Sequence, residues 1–333
     1  MRAQFARTFA MGAAGLALVS SCAAIRSAAG EIPRPAATAT VDTAPAHASL
    51  PTKPASYLGA YEADSPKTWS GMKTFGQTVG RTPNLALYYS GWRVGFESSF
   101  AKTAWSNGAV VAVDMDPTGV SVRSIANGQY DTYLTNFATA VRSFRHPVVI
   151  NFGHEMNGQW YSWGYTHTSP TVFIRAWRHI VTLFRKVGAD NVTWMWTVNW
   201  ITRDEGTIRR WWPGSSYVTW AAIDGYYYEP SDTFSTKFGP TIAAIRKISK
   251  KVPILIGETA IGPVAGQVAK MPNLFGGVRQ YGLLGFIWYD ESSVTTPSSI
   301  YKQDWRLEGR HHHAADVAFR RAQRRFLAKN LSH

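Results

Sequence analysis

The sequence predicts an α/β protein built as a single (β/α)8 barrel, also called a TIM barrel, and two observations carry this prediction. Eight short apolar runs are separated by longer segments whose apolar residues recur at helical spacing, a pattern typical of alternating strands and helices in a parallel sheet. The runs extend over roughly 250 residues, which is the usual size of such a barrel. A doubly wound open sheet is the alternative, but no glycine-rich phosphate-binding turn follows the first run.

The predicted strands are short, and several of them lead directly into ionisable residues. In chain order they cover residues 58–61, 85–89, 109–114, 148–152, 192–196, 222–226, 254–256 and 285–288. All eight strands of a barrel point their carboxyl ends at one face. Ionisable groups placed just after these strands should therefore converge on one mouth.

The segments between the strands carry helix signals. Ser169 and Pro170 form an N-cap and first-turn pair, and Gly188 stands where a left-handed residue ends a helix. Four apolar residues recur at helical spacing between them: Phe173, Trp177, Ile180 and Phe184. A basic helix over 315–327 is expected to close the barrel after the last strand.

Residues 1–22 have the pattern of a signal peptide. Two arginines precede a short apolar run, residues 11–19, which is too short to span a membrane as a stable helix. A Val-Ser-Ser-Cys sequence then ends at Cys22 and resembles a bacterial lipobox. The chain is therefore expected to be exported, either as a cell-surface lipoprotein anchored through Cys22 or in secreted form.

Residues 23–56 are rich in Ala, Pro and Thr and predict a flexible linker, so that the folded domain covers 57–333. The net charge of +14 raises the question of a nucleic-acid partner. However, the basic residues are spread along the chain, with local excesses only at its two ends. We expect no nucleic-acid partner and a monomeric protein.

Two carboxyl groups stand out at the predicted strand ends. Glu155 follows the fourth strand within an aromatic-rich stretch, 151–163, and Glu258 follows the strongly apolar run 253–257. A charge at the end of such a run needs a purpose or a partner. Strands four and seven face each other across a barrel, so a sugar can lie between their ends. Cleavage of a glycosidic bond uses two carboxyl groups, one of them as a proton donor.

Four segments together resemble glycoside hydrolase family 26, which is best known for endo-β-1,4-mannanases. They are Gly-His-Glu-Met-Asn-Gly-Gln-Trp-Tyr at 153–161, Asp-Gly-Tyr at 224–226, Ile-Gly-Glu-Thr at 256–259 and Phe-Ile-Trp at 286–288. The resemblance extends from residue 57 to about residue 308. It implies a clan A barrel with retaining chemistry, with Glu155 as the proton donor and Glu258 as the nucleophile.

The resemblance also implies substrate-binding residues. His154 would contact the substrate near its 2-hydroxyl, and Tyr226 would donate a hydrogen bond to the nucleophile. Trp160 and Trp288 would form walls of the subsite that holds the sugar being cleaved, and Asn199 would add a further contact. No cofactor and no metal ligand are expected, and Asp114 and Asp116 are interpreted as rim or substrate-contact residues.

The predicted function is that of an exported retaining glycoside hydrolase that cleaves a β-linked polysaccharide by double displacement, most readily an endo-β-1,4-mannanase. Members of the family that cut mixed-linkage β-glucan (lichenases) or β-1,3-xylan are alternatives, because strand-end loops set the specificity. A non-catalytic surface carbohydrate-binding protein is another alternative. Such a protein needs the aromatic residues but not the two carboxyl groups.

Overall fold

The computed structural model describes residues 50–201, 206–262, 264–292, 304–309 and 312–328. Within these ranges, eight parallel strands pair in chain order, and the last pairs with the first to close a barrel. The predicted (β/α)8 barrel is confirmed, and the open-sheet alternative is wrong. At least one helix lies between each pair of consecutive strands, as parallel neighbours require.

The strands are β1 (Tyr57–Tyr61), β2 (Leu85–Gly91), β3 (Val110–Asp116), β4 (Val148–Phe152), β5 (Val192–Asn199), β6 (Trp220–Asp224), β7 (Ile254–Thr259) and β8 (Gly285–Tyr289). The helices are α1 (Ser70–Val79), α2 (Ser98–Ser106), α3 (Val122–Ala126), α4 (Asp131–Phe144), α5 (Pro170–Val187), α6 (Gly206–Arg209), α7 (Phe234–Ile248), α8 (Val264–Gln280) and α9 (His313–Ala328). The sixth strand lies two residues upstream of its predicted range, because the run of tyrosines after it also has high strand propensity.

The inside of the barrel is filled by alternate residues of the strands, as the two-residue period of a β-strand requires. Leu85 and Leu87 of β2, Ala222 of β6 and Ile287 of β8 belong to this interior cluster. The residues between them point outward and pack against the surrounding helices. Strand parity, meaning whether the odd-numbered or the even-numbered residues of a strand point inward, therefore decides which of its last residues faces the mouth.

The predicted signals of α5 are present in its geometry. The side chain of Ser169 accepts a hydrogen bond from the N–H of Val172, and Pro170 begins the helix. Gly188 ends the helix with a φ of 79°, a left-handed conformation that suits glycine. The predicted basic helix at the C-terminal end is also present as α9, and its Phe319 packs 5.0 Å from Phe275 of α8.

The contacts of the domain begin a few residues before the predicted boundary at residue 57. The N–H of Ala55 donates to the carbonyl of Leu283 at 2.8 Å, and the Tyr57 hydroxyl donates to the carbonyl of Pro51 at 2.8 Å. The last residues of the predicted linker therefore belong to the folded domain. The predicted signal peptide and lipobox lie outside the described residues. Among the helices described, none combines the length and apolar character needed to cross a membrane.

Candidate active site

Glu155 and Glu258 lie at the same mouth of the barrel, as predicted. Glu155 follows β4 and Glu258 belongs to β7, three strands away in the closed order, and both are buried, at 8% and 5% exposed. The charge of Glu258 acts on the carboxyl group of Glu155. The barrel thus brings together two carboxyl groups that are far apart in the chain.

The backbone at Glu155 is held in a conformation that few residues other than glycine adopt. Its φ is 53°, and that of Gly153 is 58°. For a residue with a Cβ this conformation costs about 1 kcal/mol. The N–H of Glu155 donates to the carbonyl of Thr197 at 3.1 Å, and the N–H of Gly158 donates to the carbonyl of Glu155 at 2.8 Å. These bonds hold the turn that aims the carboxyl group into the mouth.

Each oxygen of the Glu155 carboxyl group accepts one hydrogen bond. Asn199, at the end of β5, donates to Oε1 at 2.6 Å, and the Trp160 indole donates to Oε2 at 2.8 Å. Asn199 is itself fixed through its backbone, since its N–H and its carbonyl both bond to the side chain of Asn157 at 2.8 Å. Asn199 and Trp160, predicted as substrate contacts, therefore both hold Glu155 in this structure.

The pKa of Glu155 is raised above its usual value. Burial is the largest cause, and the charge of Glu258 adds to it, whereas the His154 charge and the bonds from Asn199 and Trp160 act in the opposite direction. A raised pKa favours the protonated form of a carboxyl group, which is the form that a general acid needs.

Glu258 is held by two tyrosines from different sides of the mouth. The Tyr226 hydroxyl donates to Oε2, which is the predicted hydrogen bond, and the Tyr89 hydroxyl donates to Oε1. Tyr89 was not among the predicted site residues. Its only sequence signal was its position at the end of the second predicted strand. Hydrogen bonds of this kind favour the charged form of a carboxyl group.

His154 is buried beside two aspartates. Its Nδ1 lies 2.9 Å from Oδ1 of Asp116 and 3.6 Å from Oδ2 of Asp114, and its Nε2 lies 3.0 Å from the Tyr161 hydroxyl. Burial lowers the pKa of His154, but the charge and hydrogen bond of Asp116 and the charge of Asp114 outweigh it and raise the pKa to about 10. The imidazole is therefore a fixed cation at neutral pH, and its contact with a substrate stays a prediction.

Asp114 and Asp116, interpreted as rim or substrate-contact residues, face inward instead. Asp114 is 2% exposed, accepts a hydrogen bond from Asn151 at 2.9 Å, and burial raises its pKa to about 8. Asp114, His154 and Glu258 each place one atom within 4.8 Å of the others, so they are the group among the described residues that could hold a cation. Both ring nitrogens of His154 and both carboxylate oxygens of Glu258 already have hydrogen-bond partners.

The predicted role of Trp288 as a wall of the subsite is wrong in this structure. Trp288 is fully buried on the outside of the barrel, 5.7 Å from the ring of Phe319, and its indole donates to Asp290 and to the carbonyl of Trp305. Strand parity is the reason, because Ile287 points into the barrel and Trp288 must point out. The next residue, Tyr289, points inward and stacks on Tyr61 at 4.7 Å.

The segment 304–309 supplies a further aromatic residue to the mouth. Trp305 stacks on the ring of Tyr226 with 4.7 Å between the ring centres. Two hydrogen bonds connect the segment to the residues that follow β8. The N–H of Leu307 donates to Asp290 at 2.9 Å, and the N–H of Trp305 donates to the carbonyl of Glu291 at 3.0 Å. Trp305 therefore packs against the tyrosine that holds Glu258.

Three further carboxyl groups around the mouth, those of Asp224, Glu62 and Asp290, are buried. Burial raises the pKa of Asp224, the last residue of β6, well above its usual value, and the charges of Glu258 and Glu155 raise it further. Burial and the charge of Glu308 raise the pKa of Glu62 to about 8. Burial and the hydrogen bond with Glu308 raise the pKa of Asp290 well above its usual value. A raised pKa favours the protonated form of each of these acids.

The sequence of this chain matches the model of one protein family. The model of glycosyl hydrolase family 26 matches residues 95–262, which is half of the chain and includes both Glu155 and Glu258. The chain belongs to glycosyl hydrolase family 26. The family resemblance inferred from the sequence motifs is confirmed.

Family 26 relatives differ in what they are named for. Endoglucanase H of Acetivibrio thermocellus is 28% identical over 267 residues, which cover 75% of this chain and 28% of that protein. A mannan endo-1,4-beta-mannosidase of Bacillus subtilis is 27% identical over 161 residues, which cover 45% of this chain and 42% of that protein. The matches thus span less than half the length of these two curated relatives.

The fold agrees with that of solved family 26 structures. The GH26 β-mannanase BoMan26A of Bacteroides ovatus superposes with a TM-score of 0.61 at 16% identity, over 80% of this chain and 88% of that chain. At this level of identity the likeness concerns the fold, and it agrees with the closed barrel described above.

Proposed function

We propose that this family 26 protein is a retaining glycoside hydrolase that cleaves a β-linked polysaccharide by double displacement. One observation carries the proposal: the two facing carboxyl groups have unlike surroundings. Glu258 accepts hydrogen bonds from two phenols, which suits an ionised nucleophile, whereas burial gives Glu155 a raised pKa, which suits a proton donor.

In the first step, Glu258 attacks the anomeric carbon while Glu155 gives its proton to the leaving glycosidic oxygen. This forms a glycosyl ester on Glu258 and releases the first product with its new hydroxyl group. In the second step, Glu155 takes a proton from water, the water oxygen attacks the anomeric carbon, and the ester bond to Glu258 breaks. The two inversions leave the configuration of the anomeric carbon unchanged.

The electrostatic coupling of the pair supports both roles of Glu155. The negative charge of Glu258 raises the pKa of Glu155 in the free protein. That charge is lost when the ester forms, so the pKa of Glu155 then falls. Glu155 is thus a stronger base in the second step than it would be beside a free Glu258 carboxylate.

We propose mannan as the substrate and internal cleavage as the mode of action. The names of the Bacillus subtilis relative and of the Bacteroides ovatus structure support this choice. A mixed-linkage β-glucan is the second candidate, because the match to Endoglucanase H covers three quarters of this chain. Release of reducing ends from mannan, glucomannan, lichenan and β-1,3-xylan separates these candidates.

The roles of the two glutamates are tested by substitution. Glu258→Ala is expected to abolish turnover of every polysaccharide. Glu155→Ala is expected to be rescued by azide on an aryl glycoside with a good leaving group, with a β-glycosyl azide as the product. Full activity in either variant, or binding of the polysaccharides without any turnover by the unmodified protein, would contradict the proposal. The latter result would favour the carbohydrate-binding alternative.

We further propose that the protein is exported and acts as a monomer, with a lipid anchor on Cys22. The arginines, apolar run and Val-Ser-Ser-Cys sequence of residues 1–22 support export and lipidation. The anchor is tested by mass spectrometry of the mature N-terminus, measured for the unmodified protein and for its Cys22→Ala variant. An unprocessed N-terminus would contradict export, and sedimentation tests the monomer.

A further inference from the structure

We infer that Tyr89 is a second positioning residue of the nucleophile, in addition to Tyr226. The inference rests on the proposed function, since it assigns a role within that reaction. It starts from one contact, in which the Tyr89 hydroxyl donates to Oε1 of Glu258 across 169 positions of the sequence. This residue belongs to none of the motifs that indicate the family.

Strand parity and ring packing fix the direction of Tyr89. Leu85 and Leu87 of β2 point into the barrel, so Tyr89 is the next residue of that strand to point inward. Its ring lies 5.0 Å from that of Tyr61 and 5.6 Å from that of His154. The phenol is thus packed on two sides at the mouth and reaches Glu258 from the opposite wall.

The two tyrosines hold different oxygens of one carboxylate. Tyr226 follows β6, next to the strand that carries Glu258, and binds Oε2, whereas Tyr89 lies on β2, three strands from β7 in the closed order, and binds Oε1. A carboxylate held at both oxygens cannot rotate about its terminal bond without breaking a hydrogen bond. Tyr89 therefore fixes the plane from which Glu258 attacks.

The barrel offers a matched control in the preceding residue. Tyr88 has the same side chain and belongs to the same strand, but it points outward, is fully buried and packs 5.7 Å from Phe100. Replacing either tyrosine by phenylalanine removes one hydroxyl group from β2. Only Tyr89→Phe removes a hydrogen bond to Glu258.

The experiment compares the unmodified protein with Tyr89→Phe and Tyr88→Phe. Each is assayed for kcat and KM on its best polysaccharide, for its rate of covalent inactivation by a matching 2-deoxy-2-fluoro glycoside, and for its Tm. A hydrogen bond to a charged group corresponds to a loss of about 10- to 100-fold. We expect Tyr89→Phe to lose that much in kcat and in inactivation rate, with KM and Tm close to those of the unmodified protein. Tyr88→Phe should keep both rates.

The other outcomes overturn the inference. Unchanged kcat and inactivation rate in Tyr89→Phe would mean that the hydrogen bond does not matter for attack. A rise in KM alone would make Tyr89 a substrate contact, and a loss of rate matched by Tyr88→Phe or by a fall in Tm would make its role structural. If the unmodified protein neither cleaves any of the polysaccharides nor reacts with the fluoro glycoside, the proposed function fails, and this inference fails with it.

Discussion

In the proposed reaction, the hydrogen bond from Asn199 influences the pH range in which Glu155 can donate a proton, and Asn199→Ala tests this. The substitution removes the 2.6 Å hydrogen bond to Oε1 of Glu155 and leaves the Trp160 bond to Oε2 in place. A hydrogen bond to a buried charged group is worth about 1.5–3 kcal/mol. Because one pKa unit corresponds to about 1.4 kcal/mol, the pKa of Glu155 should rise by about 1–2 units.

The pKa of Glu155 should rise, not fall, in Asn199→Ala. The Asn199 amide favours the carboxylate form of Glu155, so its loss makes the proton harder to remove. Glu155 must be protonated in the first step, and kcat/KM therefore falls as the pH rises through its pKa. In Asn199→Ala the basic limb of the profile should move to higher pH by about 1–2 units.

The assay is kcat/KM as a function of pH, measured by release of reducing ends from a soluble polysaccharide. Asn107→Ala is the matched control, because Asn107 is exposed at the end of α2 and its side-chain amide donates to the carbonyl of Thr103, away from the mouth. Its profile should match that of the unmodified protein. A basic limb in Asn199→Ala that stays in place or moves to lower pH would mean that the Asn199 bond does not set the pKa of Glu155.

Three further predictions concern residues around the pair. Glu62→Gln should raise Tm more at pH 8 than at pH 5. The pKa of Glu62 is about 8 in the folded protein and near 4.5 in the unfolded chain. The Glu62 carboxyl group therefore reduces the stability of the folded protein as the pH rises between those two values, and glutamine does not. The exposed Glu229→Gln is its control, and an equal gain at both pH values would contradict the prediction. Gly158→Ala should lower kcat by about tenfold or more, because a Cβ there would overlap the Trp160 ring and would push its indole away from Glu155. A kcat equal to that of the unmodified protein would show that Trp160 is not needed there. Trp288→Phe should lower the free energy of unfolding by about 1–3 kcal/mol in denaturant titration and leave KM unchanged, because Trp288 packs on the outside of the barrel. A raised KM at unchanged stability would restore it as a wall of the subsite.

The sequence was sufficient to predict the barrel and the convergence of Glu155 and Glu258 on one mouth, because both depend on local signals. Short apolar runs separated by helical periodicity predict the eight strands, and Glu155 and Glu258 are recognisable because each follows an apolar strand. Their convergence then follows from the geometry of any barrel.

The contacts across the mouth could not be predicted in the same way. Tyr89 meets Glu258 only after six other strands have set the width of the barrel, and nothing in its own sequence neighbourhood distinguishes it from Tyr88. Trp288 and Tyr289 are adjacent aromatic residues, and only the parity of β8 decides which one faces inward. The prediction chose the wrong member of that pair.

The pairing of Glu62 with Asp290 depends on closure of the barrel. These residues follow β1 and β8, at opposite ends of the chain, and the two strands become neighbours only when the last strand pairs with the first. A sequence pattern read strand by strand contains no signal for this contact.

In the proposed reaction, Glu258 forms a covalent intermediate while Glu155 acts first as an acid and then as a base. The most direct test is proton NMR of the anomeric signals during the first minutes of polysaccharide cleavage, before the products mutarotate. Double displacement should release the β-anomer of the new reducing end first, and the α-anomer should appear only later. Initial release of the α-anomer would contradict double displacement at this pair of carboxyl groups.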